Sequence, residues 1–182
     1  MTVTVREARI VDAAGVARVH VESWRTTYRG IVPDAYLDAL SVENRQRGWE
    51  RQLQAAGTID VFVAEDRRSG EIVAFASGGP EQTGTETAFP WELYAIYLIA
   101  DRQRRGVGRR LTAALVERLR QRGAESLLLW VLKENLPARR FYEALDGSVV
   151  RERPIAIGGV ELPELAYGWT DLAALAGRCL ET

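Results

Sequence analysis

Gln103-Arg104-Arg105-Gly106-Val107-Gly108-Arg109-Arg110 lies between two apolar patterns of different period. Upstream runs Leu93-Tyr94-Ala95-Ile96-Tyr97-Leu98-Ile99, which reads as a long strand. Downstream, Val107, Leu111, Leu115 and Leu119 recur at four-residue steps, an amphipathic helix that Gly123 stops. A strand therefore turns into a helix through small, glycine-bearing residues. The first N–H groups of a helix have no internal acceptor and its dipole is positive there, so this junction suits an anion. Arg102, Arg104, Arg105, Arg109 and Arg110 add positive charge in the same place.

Two nucleotide-binding loops are excluded by the residues themselves. A phosphate loop of the Walker type needs Gly-Lys before Ser or Thr, and the lone lysine, Lys133, stands elsewhere. A dinucleotide fingerprint needs glycine where Leu111 stands.

Working outward, Val3 to Arg9 alternates as a short strand, and Asp12 is placed to cap a helix carrying Val16, Val19 and Trp24. Pro33-Asp34 starts a short helix through Leu37 and Leu40, and Ser41 starts another with Trp49 and Leu53. Ile59 to Ala64 and Ile72 to Ser77 read as strands of a hairpin turning at Asp66 to Gly70. A polar loop from Gly78 to Thr87 precedes the long strand. Leu127 to Leu132 is a buried strand candidate. Asn135 is placed to cap a helix with Pro137 in its first turn, running to about Leu145. Ser148 to Ile157 and Val160 to Trp169 form a second hairpin at Gly158-Gly159, and Cys179 falls in a tail helix. The order predicts a mixed sheet with helices packed on it.

Composition bounds the partners. A chain of 182 residues fits one domain, and 47% hydrophobic with 27% charged residues is ordinary for a globular protein. A net charge of −1 gives no general attraction to nucleic acid. One cysteine permits no internal disulfide; there is no signal-peptide pattern and no uncharged run of membrane-spanning length. A cytoplasmic protein that engages neither membrane nor nucleic acid is expected. His20, the single histidine, has no companions to suggest a metal, so none is expected.

At this point the chain resembles the GNAT superfamily of acetyl-CoA-dependent N-acetyltransferases. The hallmark Gln/Arg-x-x-Gly-x-Gly/Ala is matched by Gln103 to Gly108. A second element, Asn-x-x-Ala-x-x-Phe-Tyr-Glu, is matched by Asn135, Ala138, Phe141, Tyr142 and Glu143. The helix and strand between them are those the family would place there. The resemblance implies an α/β fold with a single-domain, mixed, mostly antiparallel sheet of six to seven strands and helices on both faces. It would divide into acceptor-side elements (1–57), cofactor-binding sheet and helices (58–170) and a tail (171–182).

The resemblance also implies roles. Acetyl-CoA would be the co-substrate, its pyrophosphate cradled by amides from Arg104 to Arg109, with Gln103, Arg105, Gly106, Val107 and Gly108 in the same loop. The backbone of Ile96, Tyr97 and Leu98 would pair with the pantetheine arm like an added strand. Asn135 would sit beside the cofactor, and Tyr142 would protonate or orient the departing thiolate. Of the two positions where family members keep a base, one holds Trp130 and the other Glu92, so Glu92 is the candidate. A water relay to a backbone carbonyl is the alternative. Trp24 and Tyr28 lie where the acceptor pocket would be. Transfer to a primary amine, a small molecule rather than a protein, by direct attack is the expected reaction. A non-catalytic acyl-CoA-binding module is the rival reading. A homodimer is left open.

Overall fold

The computed structural model describes residues 3–55, 57 and 59–181. The expected domain limits at Met1, Thr58 and Thr182 lie outside the described residues. In chain order the elements are β1 (Val3–Glu7), α1 (Ala13–Thr27), α2 (Asp34–Asp38), α3 (Val42–Gln54), β2 (Asp60–Asp66), β3 (Ile72–Pro80) and β4 (Trp91–Leu98). There follow α4 (Val107–Gln121), β5 (Leu127–Leu132), α5 (Leu136–Glu143), β6 (Ser148–Ile157), β7 (Val160–Trp169) and α6 (Leu172–Leu180).

The strands form one seven-stranded sheet in the order β1-β2-β3-β4-β5-β7-β6. Neighbours are antiparallel except β4 and β5, which α4 connects in the crossover that parallel pairing requires. This is the α/β, mostly antiparallel sheet that the sequence led us to expect.

Both faces of the central strands are covered, so β2 reads as a continuous apolar run. Val61 and Val63 pack with Val16 and Val19 of α1, Trp49 of α3 and Phe75 of β3. Phe62 and Ala64 point the other way, into the core built by Leu111, Leu115 and Leu119 of α4 with Leu127 and Leu129 of β5. Those three leucines are fully buried, each worth about 1.5–3 kcal/mol of transfer free energy. Helices α4 and α6 seal this second face, joined by Ala138 and Phe141 of α5 at its edge.

Local signals were read well where one side chain decides. The Ser41 hydroxyl accepts the Asn44 N–H at 3.1 Å, and Asn135 Oδ1 accepts that of Ala138 at 3.3 Å. The 158–159 turn uses two glycines at positive φ, 60° and 82°, as a tight hairpin between right-twisted strands requires. Asp12 departs from expectation. It stands at the start of α1 but does not cap it: its carboxylate takes the Arg6 guanidinium at 2.7 and 2.8 Å and the Arg9 N–H at 2.7 Å. A bidentate charged pair outcompetes a single helix amide. α2 stops at Asp38, leaving Leu40 outside it, and β3 continues to Pro80 while β4 begins at Trp91. The connecting loop is therefore 81–90 rather than Gly78 to Thr87.

Candidate active site

The site begins with two irregularities in β4. Ser77 pairs with Ala95 but Gly78 pairs with Leu93, so Tyr94 is an extra residue without a partner on β3, a β-bulge. The bulge reverses the alternation: Trp91 and Leu93 face α4 before it, Ile96 and Leu98 after it. On the other edge, Glu92 and Leu128 are the register pair joining β4 to β5 among the described residues. Beyond that pair the parallel strands part. A cleft of about 1370 Å³ opens between them, walled by Leu93 to Leu98 on one side and Leu129 to Val131 on the other. Backbone groups of β4 facing this gap lack a strand partner, and buried amides need one.

The Gln103 to Arg110 loop forms one end of the same cleft. Gly106 stands at the N-cap of α4 with φ 75°, a left-handed conformation that glycine adopts without steric cost. Arg104 is also left-handed, at φ 57°. The turn delivers the first amides of α4 to the cleft, where no preceding carbonyl accepts them. Gly108 lines the cleft with the Phe141 ring beside it, 3.4 Å from where a Cβ would stand. Val107 turns its side chain into the core and offers only its backbone.

The arginine cluster is mostly engaged in holding the fold. Arg102 pairs with Asp66 at 3.0 Å, Arg110 donates to the Val3 carbonyl at 3.2 Å, and Arg109 donates to the Arg178 carbonyl on α6. An anion at this loop would therefore meet backbone amides more than guanidinium groups.

Four further polar side chains line the cleft, those of Tyr28, Tyr97, Asn135 and Tyr142. The Tyr28 and Tyr97 hydroxyls lie 3.1 Å apart. Asn135 is buried and reaches the Tyr28 hydroxyl as well as capping α5. Tyr142 is 7% exposed and packs edge-on against Phe141 and Trp169. Burial pushes the phenols of Tyr142, Tyr97 and Tyr28 above the usual tyrosine range.

Glu92 is not among the residues that line the cleft; it stands at the start of β4, next to Leu93. Its carboxyl is pushed up to about 7, first by burial and further by the nearby Glu81 carboxylate, against the Gln82 N–H that donates to it at 3.4 Å. Arg153 and Glu164 bear on it from β6 and β7. These two are bonded at 2.6 Å, and the Arg153 guanidinium stacks 3.7 Å over the Trp130 ring. Trp130 is both at the rival base position and in the cleft wall.

The structure thus brings Ile96, Tyr97, Leu98, Gln103, Arg104, Arg105, Gly106, Gly108, Arg109, Asn135, Tyr142 and Tyr28 to one cleft. Trp24 backs it instead, with its ring 4.8 Å from that of Tyr28. His20 is enclosed by Trp24, Trp49, Phe75 and Tyr97, and burial takes its imidazole down to about 3, so it is neutral. Cys179 is a correction. Expected in a tail helix remote in sequence from Gln103 to Gly108, it lines this cleft because α6 folds back onto α4. Burial raises its thiol to about 11. No local pattern signals where a terminal helix docks. Among the described residues no cluster of His, Cys, Asp or Glu is arranged to hold a metal, and no helix is long and apolar enough to cross a membrane.

Comparison with known proteins agrees with this geometry. The model of the acetyltransferase (GNAT) family matches residues 19–147. The uncharacterized N-acetyltransferase YuaI of Bacillus subtilis is 44% identical over 174 residues, 95% of this chain and 96% of that protein. A mycothiol acetyltransferase of Thermobifida fusca is 34% identical over 132 residues, 70% of this chain but 40% of the longer relative. The PaiA N-acetyltransferase of Thermoplasma acidophilum, solved with coenzyme A, has a TM-score of 0.69 at 21% identity, over 90% of this chain and 98% of its own. The chain belongs to the acetyltransferase (GNAT) family and is an acyltransferase.

Proposed function

We propose that this GNAT acetyltransferase moves an acetyl group from acetyl-CoA to the primary amine of a small molecule, by direct attack within a ternary complex. The observation that carries the reading is the parting of β4 and β5 after Glu92–Leu128, which joins an unpaired strand edge to the amide-rich start of α4 in one cleft. Amides from Arg104 to Arg109 take the pyrophosphate. Backbone groups of Ile96 to Leu98 take the pantetheine arm, as a peptide adds to a sheet edge.

A free amine with a pKa near 10.4 is mostly protonated at neutral pH and must shed a proton before attack. Glu92, pushed up to about 7, is tuned to accept it. The nitrogen then bonds to the thioester carbon, a strand amide near Leu98 steadies the oxyanion, and the nitrogen sheds its second proton to water as the C–S bond breaks and the thiolate leaves. Burial makes Tyr142 a weaker acid than free tyrosine, so it acts chiefly by donating a hydrogen bond to the leaving thiolate. Tyr28, backed by Trp24, forms the aromatic side of the acceptor pocket. The mycothiol acetyltransferase among the relatives, named for a small-molecule acceptor, supports that class of substrate.

The test is thiol release from acetyl-CoA across a panel of small amines. Turnover with at least one amine is expected, and Tyr142→Phe should lower kcat roughly 100-fold while CoA still binds. Tight CoA binding with no turnover anywhere in the panel would favour an acyl-CoA-binding module and overturn the enzymatic reading.

A further inference from the structure

An unpaired strand edge is free to twist, and a ligand that pairs with it must first hold it still. β4 faces this difficulty beyond Glu92, where it leaves β5. Its backbone there includes Tyr97, the middle residue of the stretch assigned to pantetheine. The Tyr97 side chain points to the other face of the sheet, and its surroundings are unusually complete. The ring stacks on His20 at 5.2 Å and 23°, and Phe75 lies 5.8 Å away. The hydroxyl meets that of Tyr28 at 3.1 Å.

Tyr28 is not a neighbour of β4 in sequence. It ends α1, where its N–H donates to the Trp24 carbonyl at 3.0 Å, and its ring sits among Val32, Leu37, Leu132 and Ile157. Its hydroxyl therefore reaches β4 through Tyr97 and the β5–α5 junction through Asn135. These are the two sides of the gap. A rigid aromatic ring anchored in a separate cluster spans the place where backbone pairing has ceased.

We infer that the Tyr28 hydroxyl is a positioning group for the cofactor: bonded to Tyr97 and beside Asn135, it holds the parted strands at the separation that the pantetheine arm needs. This rests on the cleft being the acetyl-CoA site. His20 supports the arrangement as a neutral stacking surface rather than as a base, which accounts for a buried imidazole that the chemistry does not use.

The experiment is a double-mutant cycle on CoA affinity, measured by calorimetry on the full chain with Tyr28→Phe, Tyr97→Phe and the double variant. Each substitution removes one hydroxyl and keeps the ring. A neutral hydrogen bond implies that each single variant binds CoA about 3- to 10-fold more weakly. The double variant should be no weaker than the singles, because the two hydroxyls act as one link. Melting curves run alongside. A pair that served only the fold would lower the melting temperature and leave the CoA affinity of folded protein unchanged, which would overturn the inference. Additive losses, showing hydroxyls that act separately, would do so too. Failure of the parent chain to bind CoA would instead sink the reading of the cleft itself.

Discussion

Glu92→Gln separates catalysis from stability in opposite directions. In the folded chain the carboxyl holds its proton to about pH 7, against 4.5 for an unperturbed glutamate. Between those values the unfolded chain has lost the proton and the native chain retains it. Stability therefore falls as pH rises through this window, and the unfavourable contribution is complete only above the folded value. The full shift would correspond to about 3 kcal/mol, but the group is partly solvated, and about 2 kcal/mol is the figure to expect after screening. Glutamine keeps the shape and cannot ionise. The melting temperature of the variant should gain about 4–8 °C on the parent between pH 4.5 and pH 8, at 2–4 °C per kcal/mol for a chain of this size. Activity should go the other way. The parent's kcat/KM should rise with pH through an inflection near 7, and the variant should lose both the inflection and most of the rate. Differential scanning fluorimetry across pH, with pH–rate profiles on one active amine, reads both. A variant that keeps the inflection, and whose melting offset from the parent is flat with pH, would refute the assignment of base and buried carboxyl together.

Two further outcomes follow from packing. A Cβ at Gly78 would stand 2.7 Å from the Glu92 carbonyl oxygen, so Gly78→Ala should push β3 from β4 at the bulge, costing roughly 1–3 kcal/mol in denaturant melts and weakening CoA binding at the same time. Cys179 is buried, with its thiol raised to about 11, so native protein at pH 8 should resist alkylation that goes to completion in denaturant. Bound CoA should slow the native reaction further, because Cys179 lines the cleft.

Much of the fold was legible because its signals are local. Four-residue apolar steps wrote α4, the Ser41 and Asn135 side chains marked helix starts, and paired glycines marked the last hairpin. The loop from Gln103 to Gly108 was readable for the same reason: its left-handed turn into a helix start is a consequence of adjacent residues. Where a partner from another element competes, local reading failed. Asp12 looked like a cap until Arg6 was brought beside it from β1, and the arginines of the loop looked like anion ligands until Asp66 and the ends of β1 and α6 claimed three of them.

The order of elements, the family motifs and the left-handed turn at the start of α4 are written in short stretches of chain, each set by residues within one or two helical turns of one another. Long-range folding decided that β4 and β5 part after a single pair, that the Tyr28 hydroxyl meets that of Tyr97, that Glu92 is desolvated and that α6 brings Cys179 to the cleft. Those features arise from contacts between chain segments tens of residues apart, and a carboxyl's proton affinity or a cleft's width is set by what surrounds it in space.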